Sequence, residues 1–201
     1  MMRILRAVWN YLGESQPMFF RVLHLVIIGL IASQFITSDF VEIGPGHRTG
    51  GILGFDAGTL AHILPGMAVA VLLLVFTVGL LLRHGVRHFF PYLWGDLRQI
   101  REDIAALRQR RLPDASPGGL ATTVQGLGLG AVGLTVASAL TWLLLPTGSA
   151  VGHTAIELHE AATNLVIAYL IGHGGMGLLH FLLWLRAAPA AGPRRNGAGS
   201  A

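Results

Sequence analysis

Four histidines stand inside otherwise apolar stretches of this chain: His24, His62, His159 and His173. An imidazole taken out of water costs free energy unless something binds it, and ionisable residues at membrane depth are rare and functional. The chemistry available to them is narrow. There is no cysteine, which excludes disulfides, thiolate-ligated iron–sulfur clusters and a haem attached through C-x-x-C-H. Any metal or cofactor must be held by nitrogen or oxygen.

His159 and His173 are 14 positions apart, which is about 21 Å along a helix and about 40° from a shared face. One helix therefore offers an imidazole at each of two levels. Zinc calls for three or four convergent ligands and a di-iron site for several carboxylates, yet Glu160 is the one acid well inside these runs, with Glu157 at the edge. Paired neutral imidazoles suit an iron porphyrin held from both faces, and the Gly and Ala around them leave room for a flat ring. Transport of a metal ion along the histidines remains an alternative reading.

These side chains must be positioned by elements that live in lipid. Of 201 residues, 53% are hydrophobic and 12% charged, against about a quarter charged in soluble domains. Four runs, residues 18–37, 60–82, 120–145 and about 154–185, reach the roughly 20 residues that a membrane crossing needs. Backbone polar groups in hydrocarbon must be satisfied internally, so each run is expected to be a helix. The expected fold is an all-α integral membrane protein, a four-transmembrane-helix bundle spanning residues 1–186, with residues 187–201 a disordered low-complexity tail. The first run is too long for a signal-peptide core and has no small-residue cleavage site before a soluble domain.

Between the second and third runs, residues 89–114 predict a short amphipathic helix with Leu93, Leu97, Ile100, Ile104 and Leu107 on one stripe. It would lie on the membrane surface, cover the bundle or dock a partner subunit. The G-x-G-x-x-G of residues 128–133 falls inside an apolar run, not between a strand and a helix as a dinucleotide site demands. Gly126 and Gly130 there read as a small-residue packing pair.

All 14 basic residues are arginine. Arg3, Arg6 and Arg21 precede or open the first run; Arg83, Arg87, Arg98, Arg101, Arg108, Arg110 and Arg111 lie between the second and third; Arg186, Arg194 and Arg195 follow the fourth. Only Arg48 falls in the alternate loops. The positive-inside rule then places both termini in the cytoplasm. Because the basic charge flanks spans and forms no separate domain, nucleic acid is not an expected partner. With this topology His24 and His173 share an inner level, and His62 and His159 an outer one.

The order R-x-x-H (Arg21, His24), H-x-x-x-G (His62, Gly66) and H-E with a further histidine 14 residues on (His159, Glu160, His173) resembles the prokaryotic dihaem cytochrome b561 family. That family is grouped with the cytochrome b subunits of nickel–iron hydrogenases and formate dehydrogenases. The resemblance covers residues 18–185 and implies two non-covalent, bis-histidine haem b groups in a bacterial inner-membrane protein. His24 and His173 would ligate the inner haem, and His62 and His159 the outer one. It also makes His180 a quinone-site or propionate neighbour, or simply an interfacial residue. Propionates favour arginine or histidine at the membrane surface, so Arg21, Arg83 and Arg87 are candidates for the inner haem and His47 and Arg48 for the outer one. The inner arginines equally serve topology.

The expected function is electron transfer across the bilayer between a periplasmic donor or acceptor and the quinone pool. Three versions differ in partner: a stand-alone carrier, the membrane anchor of a hydrogenase- or dehydrogenase-type oxidoreductase with a periplasmic catalytic subunit, and a superoxide:quinone oxidoreductase. A histidine-lined metal transporter or a membrane scaffold is the reading from a different class.

Overall fold

Capping side chains mark where three of the four apolar runs become helices. The computed structural model describes residues 2–41, 54–146 and 148–187, and the tail expected to be disordered lies, from residue 188 on, outside the described residues. In chain order the helices are α1 (Met2–Ser15), α2 (Met18–Thr37), α3 (Ala57–His84), the single turn α4 (Val86–Phe89), α5 (Arg98–Arg108), α6 (Leu120–Leu144) and α7 (Ala150–Ala187). No strand occurs among the described residues.

α2, α3, α6 and α7 are long and apolar enough to cross a membrane. α2 matches the first run residue for residue. α3 starts three positions before its run because Asp56 Oδ1 accepts the Thr59 N–H at 2.9 Å, and it ends at Gly85, whose φ of +80° favours glycine. α7 likewise begins early: the Ser149 hydroxyl accepts the Gly152 N–H at 3.1 Å. Pro65 sits inside α3 without interrupting it, as lipid-embedded helices tolerate.

Side chains near the ends of the spans show successive helices to be antiparallel. His24 of α2 stacks on Phe76 of α3, while Thr37 reaches His62. Likewise Tyr169 of α7 lies on Gly128 of α6, while His159 reaches Thr135. The chain thus forms two pairs, α2 with α3 and α6 with α7, which meet through α3 and α6. Leu23, Ile27, Val69, Leu73, Phe76, Leu129, Val132 and Val166 make the shared core. Large apolar side chains also cover the outward faces; Leu82 is 83% and Ile171 71% exposed. In lipid that surface carries no hydrophobic penalty.

Two features on the side of the bundle that carries α1 and α5 were not legible in the apolar runs. α1 is an amphipathic helix docked across the ends of α2 and α7. Tyr11 packs on Phe181 and Trp184 at ring separations of 5.5 and 5.7 Å, and the Trp184 indole N–H donates to Glu14 Oε1 at 2.7 Å. The expected amphipathic helix is present as α5, but it is shorter than the 89–114 segment, because a 3₁₀ turn at Pro91–Trp94 ends on Gly95 with φ +70°. Its apolar stripe stays at least partly exposed, and its buried side chain is Asp103, 4% exposed. Asp103 Oδ2 accepts the N–H of Leu120 at 2.7 Å. It caps α6 from a neighbouring element, where Gly119 has no side chain to do so.

Candidate functional site

The long span of α7 holds His159 and His173 on one side, facing the α2–α3 pair. His173 meets His24, with ring centres 6.2 Å apart. His159 meets His62, with ring centres 6.3 Å apart. An imidazole nitrogen binds a metal at about 2.0 Å and its ring centre lies about 1 Å behind it, so two imidazoles on opposite sides of one ion need centres about 6 Å apart. Both separations fit that requirement. Among the described residues, no group of three or more His, Cys, Asp or Glu side chains converges, so each level offers a facing pair rather than a cage.

At the His62–His159 level a cavity of about 440 Å³ opens between all four spans, within the roughly 300–1,000 Å³ typical of cofactor pockets. His62, His159, Gly66, Gln34, Trp142 and Thr163 are among its lining. Gly66 permits the close approach of α2, since a Cβ there would stand 2.9 Å from Gln34 Oε1. The Gln34 amide nitrogen is buried without a hydrogen-bond partner, a donor left for a group that enters this space.

The two levels differ in what holds the rings. His159 Nδ1–H donates to the Thr135 carbonyl at 2.9 Å, and His62 Nδ1 lies 3.2 Å from Thr37 Oγ1. At the other level the rings are held by stacking: His24 on Phe76 at 5.8 Å, His173 on Tyr169 at 5.0 Å and 19°. His24 Nδ1 is buried without a partner. Tyr169 in turn occupies the place of a missing side chain, because a Cβ on Gly128 would overlap its ring.

This arrangement agrees with a comparison against known families, in which the chain matches prokaryotic cytochrome b561 over residues 15–188. The chain belongs to that family. Membership implies haem b binding and electron transfer within a membrane. Comparison with curated proteins and with solved structures gives no match.

The remaining candidates in this cytochrome b561 fall at different distances from the pairs. Arg21, three positions before His24, is drawn under α1: its Nη1–H donates to the Trp9 carbonyl at 3.1 Å, and its guanidinium carbon lies 4.4 Å from the centre of the Trp9 ring. Its Nε is buried without a partner, so this cation still has a donor to give to an anion. Gly13 makes the fit possible, since a Cβ there would stand 2.8 Å from Arg21 Nη1. Arg83 is exposed at the end of α3 and Arg87 lies over Trp94 at 5.4 Å. His180 is half-buried on α7, and neither it nor Arg83 makes a hydrogen bond or ring contact among the described residues. His47 and Arg48 lie outside the described residues.

Glu160 lines the His62–His159 cavity yet is exposed. Gly126 and Gly130 do not act as a pair: Gly126 seats the Phe89 turn, where a Cβ would stand 2.7 Å from the Phe89 carbonyl, whereas Gly130 faces open space. Four residues escaped the sequence reading: Thr37, Thr135, Gln34 and Tyr169. Depth was the available signal for Thr37, because the last residue of α2 must lie level with the start of α3, where His62 sits.

Proposed function

We propose that this cytochrome b561 is a dihaem protein, in which His24 and His173 would hold one haem b at the inner level and His62 and His159 the other at the outer level. The observation that carries this reading is the pair of ring separations, 6.2 and 6.3 Å, at two levels of one bundle. Bound at both levels, haem b supplies a one-electron couple at each. A pair of imidazoles at each level would leave a bound haem suited to electron passage rather than to ligand activation. The two positions on α7 are about 21 Å apart along the axis, a spacing that divides the hydrocarbon thickness into two steps. Arg21, with its unpartnered Nε, would hold an inner propionate; Arg48 is the counterpart at the outer level, and Arg83 and His180 belong to the inner interface.

The physiological reaction we propose is electron transfer across the bacterial inner membrane, with both termini in the cytoplasm, between a periplasmic redox partner and quinone. The two connections on that side, residues 38–56 between α2 and α3 and the five residues between α6 and α7, are too short to form a catalytic domain. This favours a partner subunit or a small diffusible reductant such as superoxide at that side. The test is haem content per chain of the detergent-purified protein, with reduced-minus-oxidised spectra, for the wild type, His159→Ala and His173→Ala. Two haems in the wild type and loss of a different one in each variant are expected. No haem, or full haem in both variants, overturns the ligand set and returns the reading to metal transport or a scaffold.

A further inference from the structure

Thr37 ends α2 with its hydroxyl in three contacts. Oγ1–H donates to the Ser33 carbonyl at 2.8 Å, with the Gln34 carbonyl a longer acceptor at 3.4 Å, and that one proton is then spent. Oγ1 also lies 3.2 Å from His62 Nδ1, so this third contact is made by the imidazole N–H donating to the hydroxyl oxygen. His62 is thereby fixed as the Nδ1–H tautomer, and its only lone pair is on Nε2. Across the cavity the same result is reached by other means: a carbonyl only accepts, so His159 Nδ1–H donates to Thr135 O and its lone pair is again on Nε2. The hydroxyl of Ser138 also donates to that carbonyl, at 2.9 Å. Neither device is repeated at the other level. His24 Nδ1 has no partner, and His173 makes no hydrogen bond among the described residues.

We infer that Thr37 is a positioning residue that makes the His62–His159 level the low-potential member of the two. This rests on the dihaem reading above. An Nδ1–H held by an oxygen acceptor makes the imidazole a more basic ligand, and a more basic ligand stabilises the oxidised iron. Two such ligands act at the outer level and none at the inner level, so at equilibrium a single electron resides on the inner one. The chain's own hydrogen bonds thus set a downhill direction from the far side of the bundle to the side that carries α1 and α5. Thr37→Val removes the acceptor while keeping the shape, and Thr37→Ser restores it.

The experiment is a spectroelectrochemical titration of the purified full chain, wild type and both variants, with haem content and low-temperature EPR on the same samples. The expected result is two couples, the lower being the one lost in His159→Ala. Thr37→Val should raise the potential of that couple alone by about 59 mV, a tenfold fall in its oxidised-to-reduced ratio at a fixed ambient potential for one electron, and Thr37→Ser should return it. Fewer than two haems in the wild type overturns the dihaem reading and the inference with it. Two haems whose potentials are unmoved by Thr37→Val overturn the inference alone, as does a shift in the couple that His173→Ala removes or a Ser variant that behaves like Val.

Discussion

Replacing Asp103 tests whether a soluble-side carboxylate sets the height of a membrane helix. The side chain is 4% exposed and makes two bonds of unequal worth. Oδ2 takes the N–H of Leu120, the first residue of α6, at 2.7 Å; a hydrogen bond to a charged group contributes about 1.5–3 kcal/mol. Oδ1 takes a Gln99 amide N–H at 2.9 Å within the same helix, an i,i+4 pair of the kind that adds about 0.2–0.5 kcal/mol. Asp103→Ala should therefore cost about 2–3.5 kcal/mol, roughly 5–12 °C in Tm for a chain of this size. Asp103→Asn keeps one acceptor oxygen for Leu120 but loses the charge at the start of α6, about 1 kcal/mol, and the bond from Gln99, about 0.2–0.5 kcal/mol. The assay is unfolding in detergent followed by far-UV circular dichroism, with haem retention read in parallel. α6 supplies the Thr135 carbonyl to His159, so the Ala variant should release haem from the His62–His159 level first. An Ala variant within 0.5 kcal/mol of wild type, or an Asn variant as damaged as Ala, refutes the capping argument.

The cavity at the His62–His159 level gives a second prediction. Gly66 lines it one turn from His62, so on the dihaem proposal Gly66→Leu should fill it and lower the haem content from two to one while leaving the His24–His173 spectrum in place; two haems retained would show that this space is not the binding site. The third concerns His88, on α4 beyond the end of α3, whose ring lies 4.8 Å from that of His84. Burial first, and the neighbouring His84 second, hold His88 below its ordinary pKa of 6.5. The unfolded chain then binds the proton more readily, so the contribution of this group is present above pH 6.5 and is lost as pH falls through and below that value. Tm measured from pH 8 to 5 should decline less in His88→Gln than in wild type, and an identical slope refutes the assignment.

The histidine pairs were legible in the sequence because relative depth needs only the alternation of successive spans: neighbours run antiparallel, and each residue's distance from its span end gives its level. The helix ends were less so, since an apolar run does not contain its own caps; Asp56 and Ser149 lie just outside theirs. α1 was missed for a related reason. It is amphipathic rather than apolar, and what fixes it is an aromatic cluster on α7, with Glu14 and Trp184 170 positions apart. The Thr135 carbonyl has no signature at all, because every residue carries one and only the packing of α6 on α7 selects it. Asp103 was hidden by its own chemistry: on a helix with an apolar stripe, the charged residue is the one expected to face solvent.

What makes α7 the organising element is that it serves both levels from one rigid body. A rotation by one residue would turn His159 and His173 together by about 100°, so neither pair can form without the other being in register. The partners come from two different helices, His24 from α2 and His62 from α3, and these must keep their relative height as well. The structure secures the three heights separately. Tyr169 against Gly128 and His159 against Thr135 lock α7 to α6; Thr37 against His62 and Phe20 against Phe76 lock α2 to α3; Phe89 against Gly126 and Asp103 against Leu120 tie the α4–α5 connection to α6. Each lock lies within a pair or at the connecting segment, and the two pairs meet through the shared apolar core and the facing histidines. Loss of one level should therefore loosen the bundle at that level and leave the locks of the other intact, which is why single-histidine variants can report on one site at a time.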